Sequence, residues 1–318
     1  MREVLQFQPI YQERMWGGRR LETLLARDLP AGPPIGESWE IVDRPEAQSK
    51  VRGGRFGGVT LRELIERHAA DLMGPKWDPK RQFPLLVKWL DCSDRLSLQV
   101  HPPAAVAPSL KGEPKTENWY IAHSVPGASL FVGLKPGTTR AAFAKAVKDD
   151  TAGELVNKVA VASGDSVLVH SGQVHAIDAG NLILEIQQNS DTTYRLYDWG
   201  RMDLDGKART LHIEESLRSI LWDEEPPQLV RAAPTSGTIA ACDEFEIRRM
   251  VIGKGESIHF KAGEQPRILS VAAGGVTIVG PKPEKALRLG DNALLPWSAD
   301  LEFTAPGPSI VLVTEGFA

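Results

Sequence analysis

The sequence predicts a mainly β protein, built as two β-barrels with helical insertions in the first. Three observations predict it. The 29 glycines and 23 prolines exceed the combined average of about 12% without any G-x-y period, so tight turns are frequent. Short apolar or alternating runs bounded by Gly, Ser or Asn recur along most of the 318 residues. The segment GDSVLVHSGQVHAI from Gly164 is matched by GDNALLPWSADLEF from Gly290, pairing Gly164 with Gly290, Asp165 with Asp291 and Leu168 with Leu294. His175 falls opposite Leu301 in this match, so only the first copy keeps its histidine.

The elements follow in order. The first 60 residues are cut into short pieces by WGGRR, PAGPPIGE and RGGRFGG. A helix is predicted from Leu61 to Leu72, because Thr60 and Glu63 form a capping box and Leu61, Leu64, Ile65, His68 and Leu72 share one face. His68 on that stripe reads as a packed or half-exposed residue. From Phe83, FPLLVKWL is a nearly continuous apolar run. RLSLQVH then alternates, with Leu96, Leu98 and Val100 on one face and Ser97, Gln99 and His101 on the other. KTENWYI, DSVLVH, QVHAID and NLILEIQ read as further strands. Helices are expected at Thr139–Lys148 and Ile213–Leu221, and the stretch Asp223–Ser236 reads as a linker. Strand-like runs resume after it, dividing the chain into residues 1–228 and 229–318. At roughly 150 residues per domain, two domains suit the length.

Composition narrows the function. Thirty-seven basic against 41 acidic residues leave a net charge of −4 with no long basic block, so nucleic acid is not an expected partner. No apolar run of about 18 residues occurs, and MREVLQFQPIYQERMW lacks a signal-peptide core, so no membrane is expected and the chain reads as cytoplasmic. Cys92 and Cys242 are too few for a disulfide framework, which fits a reducing compartment; Cys92, following a strand, is expected to be buried.

Of the seven histidines, two stand on strands beside other ligand types. Gln99 and His101 project from one face of one strand, Glu117 follows sixteen residues after His101 in the strand-like run KTENWYI, and His175 follows a glycine-bounded turn. Two imidazoles, a carboxylate and an amide oxygen converging inside a barrel can hold one divalent ion. That donor set suits Zn²⁺ and tolerates Fe²⁺, Mn²⁺ or Ni²⁺.

The spacing Gly164–Gly172–His175 resembles the second metal motif of the cupin (jelly-roll) barrels, with His170 where proline is usual and Ala179 where asparagine is usual. The resemblance then becomes closer. LSLQVHP, KTENWY, GQVHAI and LEIQQNSDTTYRLYDWGR, with WGG after Met15 and GESWEI from Gly36, are similar to the motif set of type I mannose-6-phosphate isomerases in their short bacterial form. It covers the whole chain, densely up to Arg201. It implies two cupin-type barrels, the second degenerate, and a soluble enzyme, monomer or homodimer, that interconverts mannose 6-phosphate and fructose 6-phosphate through an enediol. It implies one Zn²⁺ held by Gln99, His101, Glu117 and His175, with Arg195 as the active-site arginine. Gln99 is the ligand that water can replace.

Isomerisation builds negative charge on sugar oxygens, which a cation and a guanidinium stabilise, so Arg195 is assigned to the enediolate or to the phosphate of the hexose phosphate. Glu185, Lys88 and Lys115 are candidates for proton transfer. Lys115 shares the ligand face with Glu117, whereas Glu185 is a base only if its side of NLILEIQ faces the barrel interior. Ser97 shares the Gln99 face and can either donate to the substrate phosphate or bond a strand neighbour, Lys88 is placed to bind substrate, and Trp16, Trp39 and Trp119 can either line a sugar pocket or pack. Two other classes compete: an Fe²⁺-dependent cupin dioxygenase, distinguished by oxygen consumption, and a non-catalytic sugar-phosphate-binding cupin, distinguished by absent hydrogen exchange at C2.

Overall fold

The computed structural model describes residues 1, 3–280 and 285–318. It is mainly β, as the turn-rich alternating sequence predicts. Its contacts divide the chain into two units, one of Tyr11–Ser38 and Lys88–Ala232, the other of Met1–Ile10, Trp39–Val87 and Ala233–Ala318. The carboxy-terminal strands therefore group with two segments of the amino-terminal chain.

Twelve strands build the two sheets that carry the candidate ligands. They are β1 (Ile10–Gly18), β2 (Ile35–Ile41), β3 (Leu85–Cys92), β4 (Leu98–Val100), β5 (Glu117–Ser124), β6 (Ser129–Leu134), β7 (Val156–Ala160), β8 (Ser166–Val169), β9 (His175–Ile177), β10 (Asn181–Gln188), β11 (Tyr194–Tyr197) and β12 (Leu229–Val230). The larger sheet has seven strands in the order β1-β2-β3-β10-β5-β8-β12, and the smaller has five in the order β11-β4-β9-β6-β7. Leu90, Trp119, Ile121, Val167 and Ile183 of the larger sheet share one buried core with Leu130, Val132 and Ile177 of the smaller. The inner faces of the two sheets thus meet.

The outer face of the smaller sheet is apolar too. Leu98, Val100 and Leu196 pack under Phe143 and Val147 of helix α2 (Arg140–Lys148) and Leu217 of helix α3 (Ile213–Ser219). Helix α1 (Leu61–Leu72) begins at the expected capping box, Thr60 accepting from Glu63 N, and His68 leaves helical geometry to meet Phe56 edge-on.

Three local expectations are corrected. Leu96 does not join Leu98 and Val100, because β4 starts only at Leu98; it packs in the inner core instead. Helix α3 ends at Ser219, since Ile220 is extended. The linker at 223–236 contains β12, which pairs with β8 and covers its edge, and Arg231 binds Asp165 at 2.8 Å.

In the other unit, β13 (Gly237–Ala241), β14 (Glu246–Ile252), β15 (Ser257–Phe260), β16 (Arg267–Ala273), β17 (Gly275–Ile278), β18 (Ala286–Arg288), β19 (Asn292–Leu295), β20 (Leu301–Thr304) and β21 (Ser309–Glu315) form sheets ordered β13-β14-β21-β16-β19 and β15-β20-β17-β18. Their shared core is apolar: Phe260, Leu269, Val271, Leu301, Phe303 and Val313. The sequence match between the halves is also a match of turns. Gly164 and Gly290 both take positive φ (92° and 87°). Asp165 accepts from Ala162 N and Asp291 from Arg288 N, each at 2.9 Å. His175 opens β9 as Leu301 opens β20. No helix among the described residues is long and apolar enough to cross a membrane.

Candidate metal centre

Alternation decides where the polar side chains go. With Leu98 and Val100 sealed beneath helices, Gln99 must point inward, towards the larger sheet. Its strand neighbour across the ladder is His175, and β5 of the facing sheet brings Glu117. His101, just past β4, lies with its ring centroid 4.7 Å from that of His175.

His101, Glu117 and His175 are fully buried. One possible ligand atom from each lies within 4.8 Å of the others. His175 Nε2 is 3.4 Å from Glu117 Oε1, and His101 Nε2 is 3.5 Å from Glu117 Oε2. Ligands about 2.1 Å from a tetrahedral cation stand roughly 3.4 Å apart, so the spacing accommodates an ion. The Nδ1 atoms contact the carbonyls of Thr192 and Gln173, each at 2.8 Å. A carbonyl only accepts, so both rings carry their proton on Nδ1 and turn a lone pair on Nε2 to the centre. His101 Nε2 and Glu117 Oε1 are buried with no hydrogen-bond partner among the described residues. A buried set of bare acceptors is costly unless something cationic completes it.

The electrostatics agree with that demand. Burial, reinforced by the nearby Lys115 ammonium, lowers the His101 pKa to about 3, and burial likewise lowers that of His175. Both imidazoles are therefore neutral, the form that ligates. Burial opposes the Glu117 charge, but Lys115 together with His101 and His175 outweighs it and holds the carboxyl well below its ordinary range.

Gln99 stands at the edge of this set. Its Nε2 is 3.3 Å from His175 Nε2 and its Oε1 is 3.4 Å from Ser97 Oγ, so the amide offers nitrogen to the histidine and oxygen to the serine. To ligate through oxygen, the amide has to turn over.

From the centre, alternating charges lead outward. Lys115 Nζ is 2.6 Å from Glu117 Oε2 and 3.8 Å from Glu185 Oε1. Lys88 Nζ lies 3.6 Å from Glu185 and 3.7 Å from Glu37, and Arg14 Nε donates to Glu37 at 2.8 Å. Glu185 lies on the interior side of β10, where Trp119 Nε1 donates to its Oε2 at 3.0 Å. Its burial raises its pKa, against the pull of Lys115. Lys115 is desolvated as well, yet Glu117 and Glu185 hold its pKa above the ordinary value.

A cavity of about 360 Å³ opens beside the centre, lined by Gln99, Lys115, Glu185, Lys88, Ser97 and Arg195 among others. Arg195 pairs in register with Gln99 on the next strand, and its Nη1 donates to Thr210 O at 2.9 Å. All the predicted residues thus meet at or beside one cavity. Of the tryptophans, Trp16 lines it and Trp119 lies beneath, while Trp39 packs elsewhere, with Val42 and Leu86. Arg14, Glu37, Arg209 and His212 also line it and were not singled out from sequence. Glu37 lies in GESWEI, a strand buried along its whole length, which only the structure shows. Arg209 and His212 come from a stretch without periodicity, which offered none.

Residues 4–113 match the family of the phosphomannose isomerase type I catalytic domain. The mannose-6-phosphate isomerase of Streptococcus mutans serotype c is 34% identical, over 96% of this chain and 98% of its own length. Mannose-6-phosphate isomerase ManA of Bacillus subtilis is also 34% identical, over 98% of both chains. The crystal structure of the Bacillus subtilis mannose 6-phosphate isomerase superposes with a TM-score of 0.86 at 27% identity, covering 99% of this chain and all of that one.

Proposed function

The chain belongs to the type I phosphomannose isomerase family, and from that membership we propose that it interconverts mannose 6-phosphate and fructose 6-phosphate in the cavity beside His101, Glu117 and His175. The observation that carries the proposal is the buried set of bare acceptors adjoining a cavity lined with basic residues.

His101, Glu117 and His175 would hold one divalent ion, zinc by the N/O donor set, with the Gln99 oxygen as a fourth ligand once its amide turns. Such an ion would supply positive charge against the negative charge that isomerisation builds on the sugar oxygens. Glu185, whose pKa is raised, takes the C2 proton; that electron pair forms the C1=C2 bond of the enediol as the C1 oxygen gains a proton. Return of a proton to C1 and loss of the C2 hydroxyl proton complete the ketose. Lys115 stays charged against Glu117 and Glu185, so it supplies positive charge and orientation. Arg195 stabilises the enediolate from the strand beside Gln99, and Ser97 and Lys88, which line the cavity, bind the substrate.

The same reading takes the paired sheets of each unit as a cupin-type jelly roll, the one ending at Ala318 having lost its ligands, with catalysis confined to residues 1–228. A coupled assay with mannose 6-phosphate tests the function: activity should vanish on chelation and return with zinc. Full turnover by metal-stripped protein would refute it.

A further inference from the structure

Resting on the isomerase reading, we propose that Arg209 binds the substrate phosphate, held in position by Asp198 and acting beside Arg195 and His212. The Arg209 side chain is 12% exposed and lines the cavity. Its Nε donates to Asp198 Oδ2 at 2.7 Å and its Nη2 to Oδ1 at 2.5 Å, a two-pronged grip that fixes the plane of the guanidinium. Its Nη1 makes no hydrogen bond among the described residues, which leaves one edge for a ligand. Asp198 also accepts from Arg201 Nη2 at 2.8 Å, so one carboxylate anchors two cations.

Arg195 completes the pattern. Its Nη1 is engaged by Thr210 O, but its Nε is buried without a partner. Burial and the neighbouring Arg209 charge lower its pKa, so two guanidinium groups stand close enough to repel. Adjacent half-buried cations with unspent N–H groups are relieved by an anion. His212 adds a donor: its Nδ1 accepts from Arg195 N at 3.3 Å, which leaves Nε2 to donate. The carboxylates of Asp191 and Asp203 also line the cavity. Asp203 already accepts from Leu204 N, and Asp198 is already engaged by Arg201 and Arg209. Arg195 reaches this corner from the strand paired with Gln99, so a hexose phosphate can place its reacting carbons by the metal ligands and its phosphate on Arg209.

The test uses zinc-loaded wild type, R209Q, R209K and D198N, with mannose 6-phosphate, free mannose and inorganic phosphate. In R209Q the KM for mannose 6-phosphate should rise about tenfold or more, and phosphate should weaken by a similar factor as competitive inhibitor and in calorimetry. The kcat/KM for free mannose should stay within about twofold. R209K, which keeps charge without the fork, should fall between, and it reads the same quantities if R209Q does not fold. D198N should shift KM in the same direction by freeing the guanidinium. Equal losses on both sugars with unchanged phosphate binding would overturn the proposal, as would an unchanged KM. Calorimetry separates the two claims: wild type that binds phosphate through Arg209 without isomerising defeats the isomerase reading alone, whereas an isomerase indifferent to R209Q defeats only this one.

Discussion

His175 Nε2 and Glu117 Oε1 stand 3.4 Å apart although they come from strands of different sheets, β9 and β5. The contact exists because the inner faces of the two sheets meet, and it leaves a lone pair and a carboxylate oxygen aimed into a space that a cation fits. Replacing His175 or His101 by alanine should abolish both bound metal and turnover. Loss of a ligand should exceed the ~10–100-fold effect typical of groups that only support ligands. Metal content by mass spectrometry beside the coupled assay checks it; wild-type turnover by either variant would remove the centre from the mechanism.

Arg195→Ala should leave metal content unchanged and lower kcat by about 10²–10³, the range for removing a charge-stabilising donor. If metal is lost together with turnover, the arginine shapes the centre, and its assignment to charge stabilisation fails.

Trp119→Phe keeps a ring beside His175 but removes the donor to Glu185 Oε2. A hydrogen bond to the charged carboxylate favours ionisation, so without it the Glu185 pKa should rise further. The acid limb of the kcat profile should move to higher pH, with metal content unaltered. An unmoved limb would take Glu185 out of the base's role.

Metal-free protein should lose stability as pH falls from about 6.5. The His101 pKa is about 3 when folded and near 6.5 when unfolded, so between those values the unfolded chain binds more protons and stability rises with pH. The depressed His175 and Glu117 act with the same sign. Urea midpoints at pH 7 and 5 measure the loss, and His101→Gln should flatten the dependence.

Phe143→Ala should cost about 3–5 kcal/mol, because a fully buried ring is removed from between α2 and the outer face of the smaller sheet. Thermal unfolding reads this, and a loss under about 1 kcal/mol would show that the helix is not what seals β4.

Much of the centre was legible in the chain itself. Alternation in RLSLQVH sent Gln99 and His101 to one face, and the glycine-bounded turns marked where His175 and its counterpart Leu301 begin strands. Local pattern stopped there. The same alternation misplaced Leu96, because it does not show where a strand starts, and the proline-rich stretch at 223–236 hid β12, whose two residues are a strand only through pairing with β8. Arg209 carries no pattern at all; its role is set by Asp198.

The order of residues alone determined a mainly β chain with short strands, two similar turns and a set of candidate metal ligands kept in one of the two matched segments. Those properties depend on neighbours one or two positions away, where backbone geometry dictates side. Which side of β10 turned Glu185 towards Lys115 and Lys88, how Glu37 came to join them, and which arginines share one carboxylate were decided only by tertiary structure. Each depends on charges from distant segments being desolvated together, and a buried charge is tolerated only where its partner arrives with it.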